Sequence, residues 1–325
     1  MPTFAVLHPL PEPALQLLRA AGEVRMGEST GPLSESELEA LVRGADAVLA
    51  LPTDRIDGCL LDAAGSGLRV VANVAVGYDN VDVSELASRG VVVTNTPSVL
   101  VDATADLAIA LMLAVTRRVG EGERLIRRGT AWSWSLDFML GHSLRGRTLG
   151  IIGFGEIGRA TAGRARAFGM EVAYFSRSAA EPAVEAELGA RRLELDELLE
   201  CADVVSLHCP LTAATRHLID TAALARMRES AYLVNTARGA IVDEAALVEA
   251  LDSGAVAGAA LDVYEQEPRV DPRLVEMENV VLLPHLGSAT VETREEMALL
   301  AARNAIAVVE GRPPLTPVTV PGAPG

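Results

Sequence analysis

A chain of 325 residues, 50% hydrophobic and only 3% aromatic, is long enough for about two domains with cores of Ala, Val and Leu. Its formal net charge of −16 argues against nucleic acid or an anionic membrane as partner. It contains no lysine, which excludes a Schiff-base lysine and the lysine of a P-loop and leaves recognition of carboxylate and phosphate to arginine.

No apolar run approaches the ~18 residues of a membrane span, and the N-terminus lacks a signal-peptide pattern. Cys59, Cys201 and Cys209 show no ligand spacing and read as reduced thiols, so a cytoplasmic protein with no metal is expected.

From Phe4 to Asn95, short apolar runs alternate with helical patterns. Strands are predicted at Phe4–His8, Val24–Met26, Ala47–Leu51, Arg69–Asn73 and Val91–Asn95. Helices are predicted at Glu12–Ala21, from Ser34 to Arg43, and at Ser84–Arg89. Ser34 and Glu37 have the spacing of a capping box. This is βαβ order with a parallel sheet, and strand ends in such sheets carry ligand-binding loops. Leu51-Pro52-Thr53 and Val74–Asn80 are the loops so placed.

Pro97 closes this section. Asp102 to about Val119 reads as a helix apolar on most faces, hence buried, at a domain or subunit boundary. Arg117 to Gly146 is polar and irregular, a connecting arm in which Trp132 and Trp134 are expected to anchor in local apolar pockets. A second series of strands begins at Thr148 and continues at Val172–Phe175, Val204–His208, Tyr232–Asn235, Ala257–Leu261 and Val280–Leu283. Helical patterns at about 156–168, 181–188, 213–228 and 243–252 separate them. Six strands, most buried on both faces, make a doubly wound sheet. A last helix, Val291–Glu310, is stopped by Gly311-Arg312-Pro313-Pro314.

The nucleotide section opens on Gly153-Phe154-Gly155-Glu156-Ile157-Gly158, a G-x-G-x-x-G between a short apolar run and an amphipathic one. In that context Gly153 permits a tight turn, Gly155 lets backbone approach a pyrophosphate, and Gly158 lets the helix pack on the strand. The helix N-terminus then holds the pyrophosphate. An NAD site usually carries Asp or Glu about 20 residues further on, for the ribose 2′-hydroxyl. Here that place holds Ser176, Arg177 and Ser178, so a 2′-phosphate meets an arginine and two hydroxyls rather than a carboxylate. NADP(H) is therefore expected to be preferred, with NAD(H) able to bind.

Three polar residues follow three consecutive strands of this section: Arg238, Glu267 and His285. Arginine clamps a carboxylate bidentately, histidine exchanges a proton near neutral pH, and a neighbouring glutamate favours imidazolium. Singly they read as a surface ion pair, a solvated loop acid and a satisfied histidine; together at one sheet edge they read as catalytic.

These stretches resemble the D-isomer-specific 2-hydroxyacid dehydrogenases, in particular their glyoxylate/hydroxypyruvate reductase branch. The resemblance rests on Val76–Asn80, Asn95-Thr96-Pro97, Ala103–Asp106, Gly153–Gly158, His208–Leu211, Asn235–Gly239, Asp262–Pro268 and Pro284–Thr290, in that order along nearly the whole chain. It implies a doubly wound (Rossmann) nucleotide domain at 99–286 and a smaller, flavodoxin-like α/β substrate domain at 1–98 and 287–325. It also implies a homodimer acting on a small 2-oxo or 2-hydroxy acid. Arg238, Glu267 and His285 would be catalytic, and Val76, Gly77, Leu51 and Arg238 would meet the substrate.

The same resemblance sets Phe154, Glu156, Ile157 and Thr104 against the cofactor, along with His208, Cys209 and Pro210 on the adenine side. Thr236, Ala237, Asp262, His285 and Gly287 would lie near the nicotinamide. Pro52 and Phe138 depart from the usual residues and put the shape of the substrate pocket in doubt. His8, His142 and His217 fall in polar or surface contexts and carry no chemistry.

The activity implied is reduction of glyoxylate or hydroxypyruvate with His285 as proton donor. D-3-phosphoglycerate or another D-2-hydroxy acid is the alternative substrate. A dinucleotide-sensing binding protein of the corepressor type is the alternative that is not an enzyme. Glu267, where formate dehydrogenases of this fold carry Gln, argues against formate.

Overall fold

The structure, a computed structural model, describes residues 1–29, 31 and 33–319. It divides into two compact units, Met1–Leu100 with the chain from Ser288, and Val101–Gly287.

The first unit opens with β1 (Thr3–Val6), α1 (Glu12–Ala21), β2 (Glu23–Met26) and α2 (Glu35–Val42). It continues with β3 (Ala47–Ala50), α3 (Gly58–Ala64), β4 (Val70–Asn73), α4 (Val83–Ser88) and β5 (Val92–Thr94). All pairings are parallel and the order is β2-β1-β3-β4-β5, the flavodoxin-like arrangement. Every residue of β1, β3 and β4 is buried, which is why these strands are continuous apolar runs. Ser34 Oγ accepts from Glu37 N while the Glu37 carboxylate accepts from Ser34 N, completing the capping box at α2.

The second unit begins with α5 (Val101–Thr116) and α6 (Val119–Arg127). Then come β6 (Thr148–Ile152), α7 (Glu156–Ala167), β7 (Glu171–Phe175), α8 (Pro182–Leu188), β8 (Ala190–Arg192), α9 (Leu195–Cys201) and β9 (Val204–Leu207). Next are α10 (Thr221–Arg226), β10 (Tyr232–Asn235), α11 (Glu244–Asp252), β11 (Gly258–Leu261), α12 (Pro272–Glu276) and β12 (Val280–Leu282). The seven parallel strands run β12-β11-β10-β9-β6-β7-β8. The order reverses between β6 and β9, the switch point at which doubly wound sheets bind ligands. Helix α5 packs on α7 and over β10–β12, and its apolar faces are spent there.

Finally α13 (Val291–Val309) returns to the first unit and packs on α1, β3 and β4. Its buried Asn304 receives the N–H groups of Leu315 and Thr316 and donates to Leu300 O and Thr316 Oγ1, tying down the chain beyond the helix. Among the described residues, no helix is long and apolar enough to cross a membrane.

Several elements differ from the sequence reading. The second sheet has a seventh strand, β8, whose three residues are too few to show a period. The short helices α3, α9 and α12 fall in stretches left unassigned. The helix expected over about 213–228 spans only Thr221–Arg226. His217 N and Ile219 N are taken by Ala240 O and Ile241 O, and Asp220 caps a new start by accepting from Ala223 N. The arm expected to be irregular contains α6, which begins after Arg118 turns left-handed at φ 55°. Arg118 pairs there with Glu121, and Arg127 with Glu123, and at 9 residues the helix is too short to show a sustained apolar period. Trp132 and Trp134 fill no pocket: they are 54% and 75% exposed.

Candidate active site

The turn after β6 is built as its glycines require. Gly153 sits at φ 96°, and a Cβ there would lie 2.4 Å from Cys209 N. A Cβ at Gly158 would lie 2.2 Å from Gly153 O. At Gly155 nothing lies within 4 Å, which leaves room for a ligand to meet the backbone. The N–H groups of Phe154, Gly155 and Ile157 have no acceptor among the described residues. These open donors at the positive end of a 12-residue helix suit a pyrophosphate. The Phe154 ring itself turns inward and stacks on Tyr174 at 4.0 Å between centroids.

Cys209 and His208 border the turn. Burial pushes the Cys209 thiol up to about 11, so it is an inert apolar wall. His208 Nε2 meets Ser206 Oγ at 2.9 Å, and desolvation pushes the ring down to about 4, so it is neutral. Pro210 is exposed beside them. Ser176, Arg177 and Ser178 follow β7, the last two exposed. The Arg177 guanidinium has no partner among the described residues. Arg192, at the end of β8, donates to Ser176 O at 3.0 Å and to Arg177 O at 3.4 Å and holds this loop in place.

The ends of β10, β11 and β12 bring the catalytic candidates together. Asn235 shapes the first turn, donating to Arg238 O and accepting from Ala237 N. Gly239 allows that turn to touch the loop after β11, since a Cβ there would lie 1.8 Å from Tyr264 C. Glu267 Oε1 accepts from Tyr264 N at 3.0 Å, and its Oε2 meets His285 Nδ1 at 2.8 Å. Burial alone would raise the Glu267 carboxyl. Its hydrogen bond and charge contact with His285, the Tyr264 N–H and the charge of Arg238 outweigh that and hold it below its ordinary range. The carboxylate therefore fixes Nδ1 as a donor and leaves Nε2 of His285 for a substrate.

His285 sits in a strained turn at φ 56°, secured by Asp262. Asp262 O accepts from His285 N at 2.8 Å, Oδ1 from Leu286 N at 2.6 Å and Oδ2 from Gly287 N at 2.8 Å. Thr104 Oγ1 donates to Gly287 O at 3.1 Å. Burial raises the Asp262 carboxyl, and the two N–H groups work against that rise. Nearby, Thr236 Oγ1 is buried without a partner among the described residues, an orphan that a carboxamide or carbonyl would satisfy. The glycine turn, this orphan hydroxyl and the three candidates Arg238, Glu267 and His285 lie along one sheet edge and fit a nicotinamide dinucleotide.

In the first unit, Leu51 follows β3, and Val76 and Gly77 follow β4. The N–H groups of Val76 and Gly77 have no acceptor among the described residues, which suits a carboxylate. Sequence reasoning missed two supporting residues, Tyr264 and Arg192, and one contact of Asp262, whose two oxygens accept from the His285 turn. Tyr264 fixes Glu267 through its N–H and donates its hydroxyl to Leu283 O at 2.8 Å, so it braces both sides of the Glu267–His285 pair. Arg192 lies on the strand that was not predicted. His8, read as lying in a polar or surface context, is buried at 4% exposure because Ser29 and Asp54 take both its ring nitrogens.

The chain is similar to known proteins of one family. Residues 109–287 match the family model described as D-isomer specific 2-hydroxyacid dehydrogenase, NAD binding domain. The chain is 45% identical over 318 residues to a glyoxylate reductase of Thermococcus litoralis, covering 96% of this chain and 95% of that protein. A glyoxylate reductase structure from Paecilomyes thermophila superposes with a TM-score of 0.87 at 38% identity, covering 98% of both chains. An NADPH-dependent glyoxylate/hydroxypyruvate reductase from Sinorhizobium meliloti, solved with NADP and malonate, gives a TM-score of 0.85 at 37% identity, covering 98% of this chain and 97% of that one.

Proposed function

The chain belongs to the D-isomer-specific 2-hydroxyacid dehydrogenases and is an enzyme of that family; from this premise we propose that it reduces glyoxylate, and hydroxypyruvate after it, with NADPH preferred over NADH. The observation that carries the reading is the 2.8 Å contact of Glu267 with His285 on the sheet edge that also bears the open glycine turn.

When bound, the nicotinamide supplies a hydride to the carbonyl carbon. Arg238 clamps a carboxylate and polarises the carbonyl oxygen. Within the first unit, the open N–H groups of Val76 and Gly77, beside the loop at Leu51, are donors of the kind that a carboxylate accepts from. His285, protonated and held by Glu267, delivers a proton from Nε2 to the developing alkoxide. Thr236 and the backbone around Ala237 and Gly287 hold the carboxamide end of the cofactor. Phe154–Gly158 hold its pyrophosphate through backbone N–H groups. Arg177, between Ser176 and Ser178, takes the 2′-phosphate. The unit containing the glycine turn acts as the nucleotide domain and the other as the substrate domain.

A homodimer is part of the same proposal. Val119, Ile126, Trp132, Trp134, Leu136 and Leu140 are all exposed and all lie within 119–140, a density of bare apolar side chains that suits burial against a second copy. Light scattering would show twice the chain mass.

Initial rates with NADPH and NADH against glyoxylate, hydroxypyruvate and pyruvate test the reading. Turnover of glyoxylate, faster with NADPH, supports it. Tight dinucleotide binding without turnover of any 2-oxo acid contradicts it and favours the binding-protein alternative.

A further inference from the structure

His8 stands just beyond β1 with both ring nitrogens engaged. Nδ1 lies 3.0 Å from Ser29 O, beyond β2, and Nε2 lies 2.6 Å from Asp54 Oδ1, beyond β3. A carbonyl oxygen only accepts, so Nδ1 carries a proton. The other oxygen of Asp54 accepts from Leu51 N at 2.7 Å, and a carboxylate offers only acceptors, so Nε2 carries a proton as well.

The network runs on along the same sheet edge. Asn80 Nδ2 donates to Asp54 O at 2.9 Å and to Leu51 O at 3.2 Å. Asn80 and Asn73 bond each other at 3.2 Å, and Asn73 Nδ2 donates to Gly77 O at 2.9 Å. One chain of hydrogen bonds thus links His8 to Leu51 and to the Gly77 carbonyl, beside the open N–H groups of Val76 and Gly77.

We propose that His8 acts as a doubly protonated imidazolium clamp, a positioning residue that fixes the Leu51–Asp54 segment and, through Asn80 and Asn73, the Gly77 loop in the arrangement that receives the substrate carboxylate. The substrate part rests on the function proposed above; the charge state of His8 does not.

Burial opposes a charge on this ring, but the Ser29 carbonyl and the Asp54 carboxylate outweigh it and hold His8 above its ordinary range. Of the charged groups on the segments around it, Asp54 faces the ring, Arg55 turns to Asp57, and Glu28 and Asp79 are exposed. A histidine raised in this way holds its clamp fully below the unfolded-state value, and loses it as pH rises through the folded one. Substrate binding should weaken over that alkaline span while cofactor binding does not.

The test begins with nitrogen NMR of the full chain labelled at its five histidines, with His8 assigned by its loss in His8→Gln. The clamp requires two protonated ring nitrogens at neutral pH and, in Asp54→Asn, a downward shift of the titration midpoint. A neutral single tautomer at neutral pH overturns the proposal. Kinetics then ask what the clamp does. His8→Gln keeps a donor but no charge, and should raise KM for glyoxylate roughly three- to tenfold, leave kcat and the NADPH KM nearly unchanged, and flatten the alkaline rise of KM. Unchanged KM for glyoxylate overturns the positioning role. Absence of wild-type turnover would overturn the proposed function instead, and the NMR result would still decide the charge state.

Discussion

Glu267 Oε2 and His285 Nδ1 meet at 2.8 Å across the ends of β11 and β12, and the residues that hold each of them, Tyr264 and Asp262, both follow β11. Tyr264, beyond β11, supplies the N–H that turns Glu267 towards the histidine, and Asp262 holds the left-handed turn in which His285 sits. The pair is thus set by backbone contacts that exist before any substrate arrives, which is what keeps a proton donor oriented at little cost on binding.

Replacing Glu267 by Ala should lower kcat for reduction about ten- to a hundredfold, because no acceptor then holds His285 Nδ1 and orients its ring. The KM for NADPH should change little. A variant with wild-type kcat would show that the pair does not orient the proton donor.

The same pair has a stability signature. Glu267 is held below its ordinary range, so its contribution is present above the unfolded value and disappears as pH falls through the folded one. Denaturant unfolding should find Glu267→Gln less stable than wild type near neutral pH and converging with it under acid conditions. A constant difference across pH would contradict the shift.

Gly239→Ala should be strongly destabilising for a residue in a loop. Its Cβ would land 1.8 Å from Tyr264 C, so backbone must move, at a cost of about 1–3 kcal/mol or more. Because the same shift drags Glu267, kcat should fall too. A variant with unchanged melting temperature and kcat would mean the two loops do not touch.

Ser176→Asp combined with Arg177→Ala should reverse the cofactor preference. The first restores a ribose acceptor and repels phosphate, and the second removes a charge-assisted contact worth ~1.5–3 kcal/mol. The ratio of kcat/KM for NADPH and NADH should fall about ten- to a hundredfold. A wild type that already prefers NADH would place the Arg177 side chain in solvent.

Much of this was legible in sequence. The βαβ alternation, the G-x-G-x-x-G at Gly153–Gly158 and the trio Arg238, Glu267 and His285 each carry a local signal: an apolar run, a glycine spacing, or a polar residue just past a buried strand. What stayed hidden depends on partners distant in sequence. The buried state of His8 needs Ser29 and Asp54, which only the sheet order brings to it. The role of Asp262 needs the turn after β12 to fold back on it. The helix α6 was masked because its 9 residues are fewer than the window over which an apolar period shows, and it carries ion pairs at i+3 and i+4. Trp132 and Trp134 were expected in pockets, but their own unit offers no surface that covers them.

The most direct test of the account is glyoxylate reduction by His285→Ala, measured beside an NADPH binding titration. The account predicts a loss in kcat of ~10²–10⁴-fold, the usual share of a general acid, with NADPH affinity nearly unchanged. A variant that binds NADPH and keeps a kcat near that of the wild type would contradict His285 as proton donor and with it the proposed chemistry of this sheet edge.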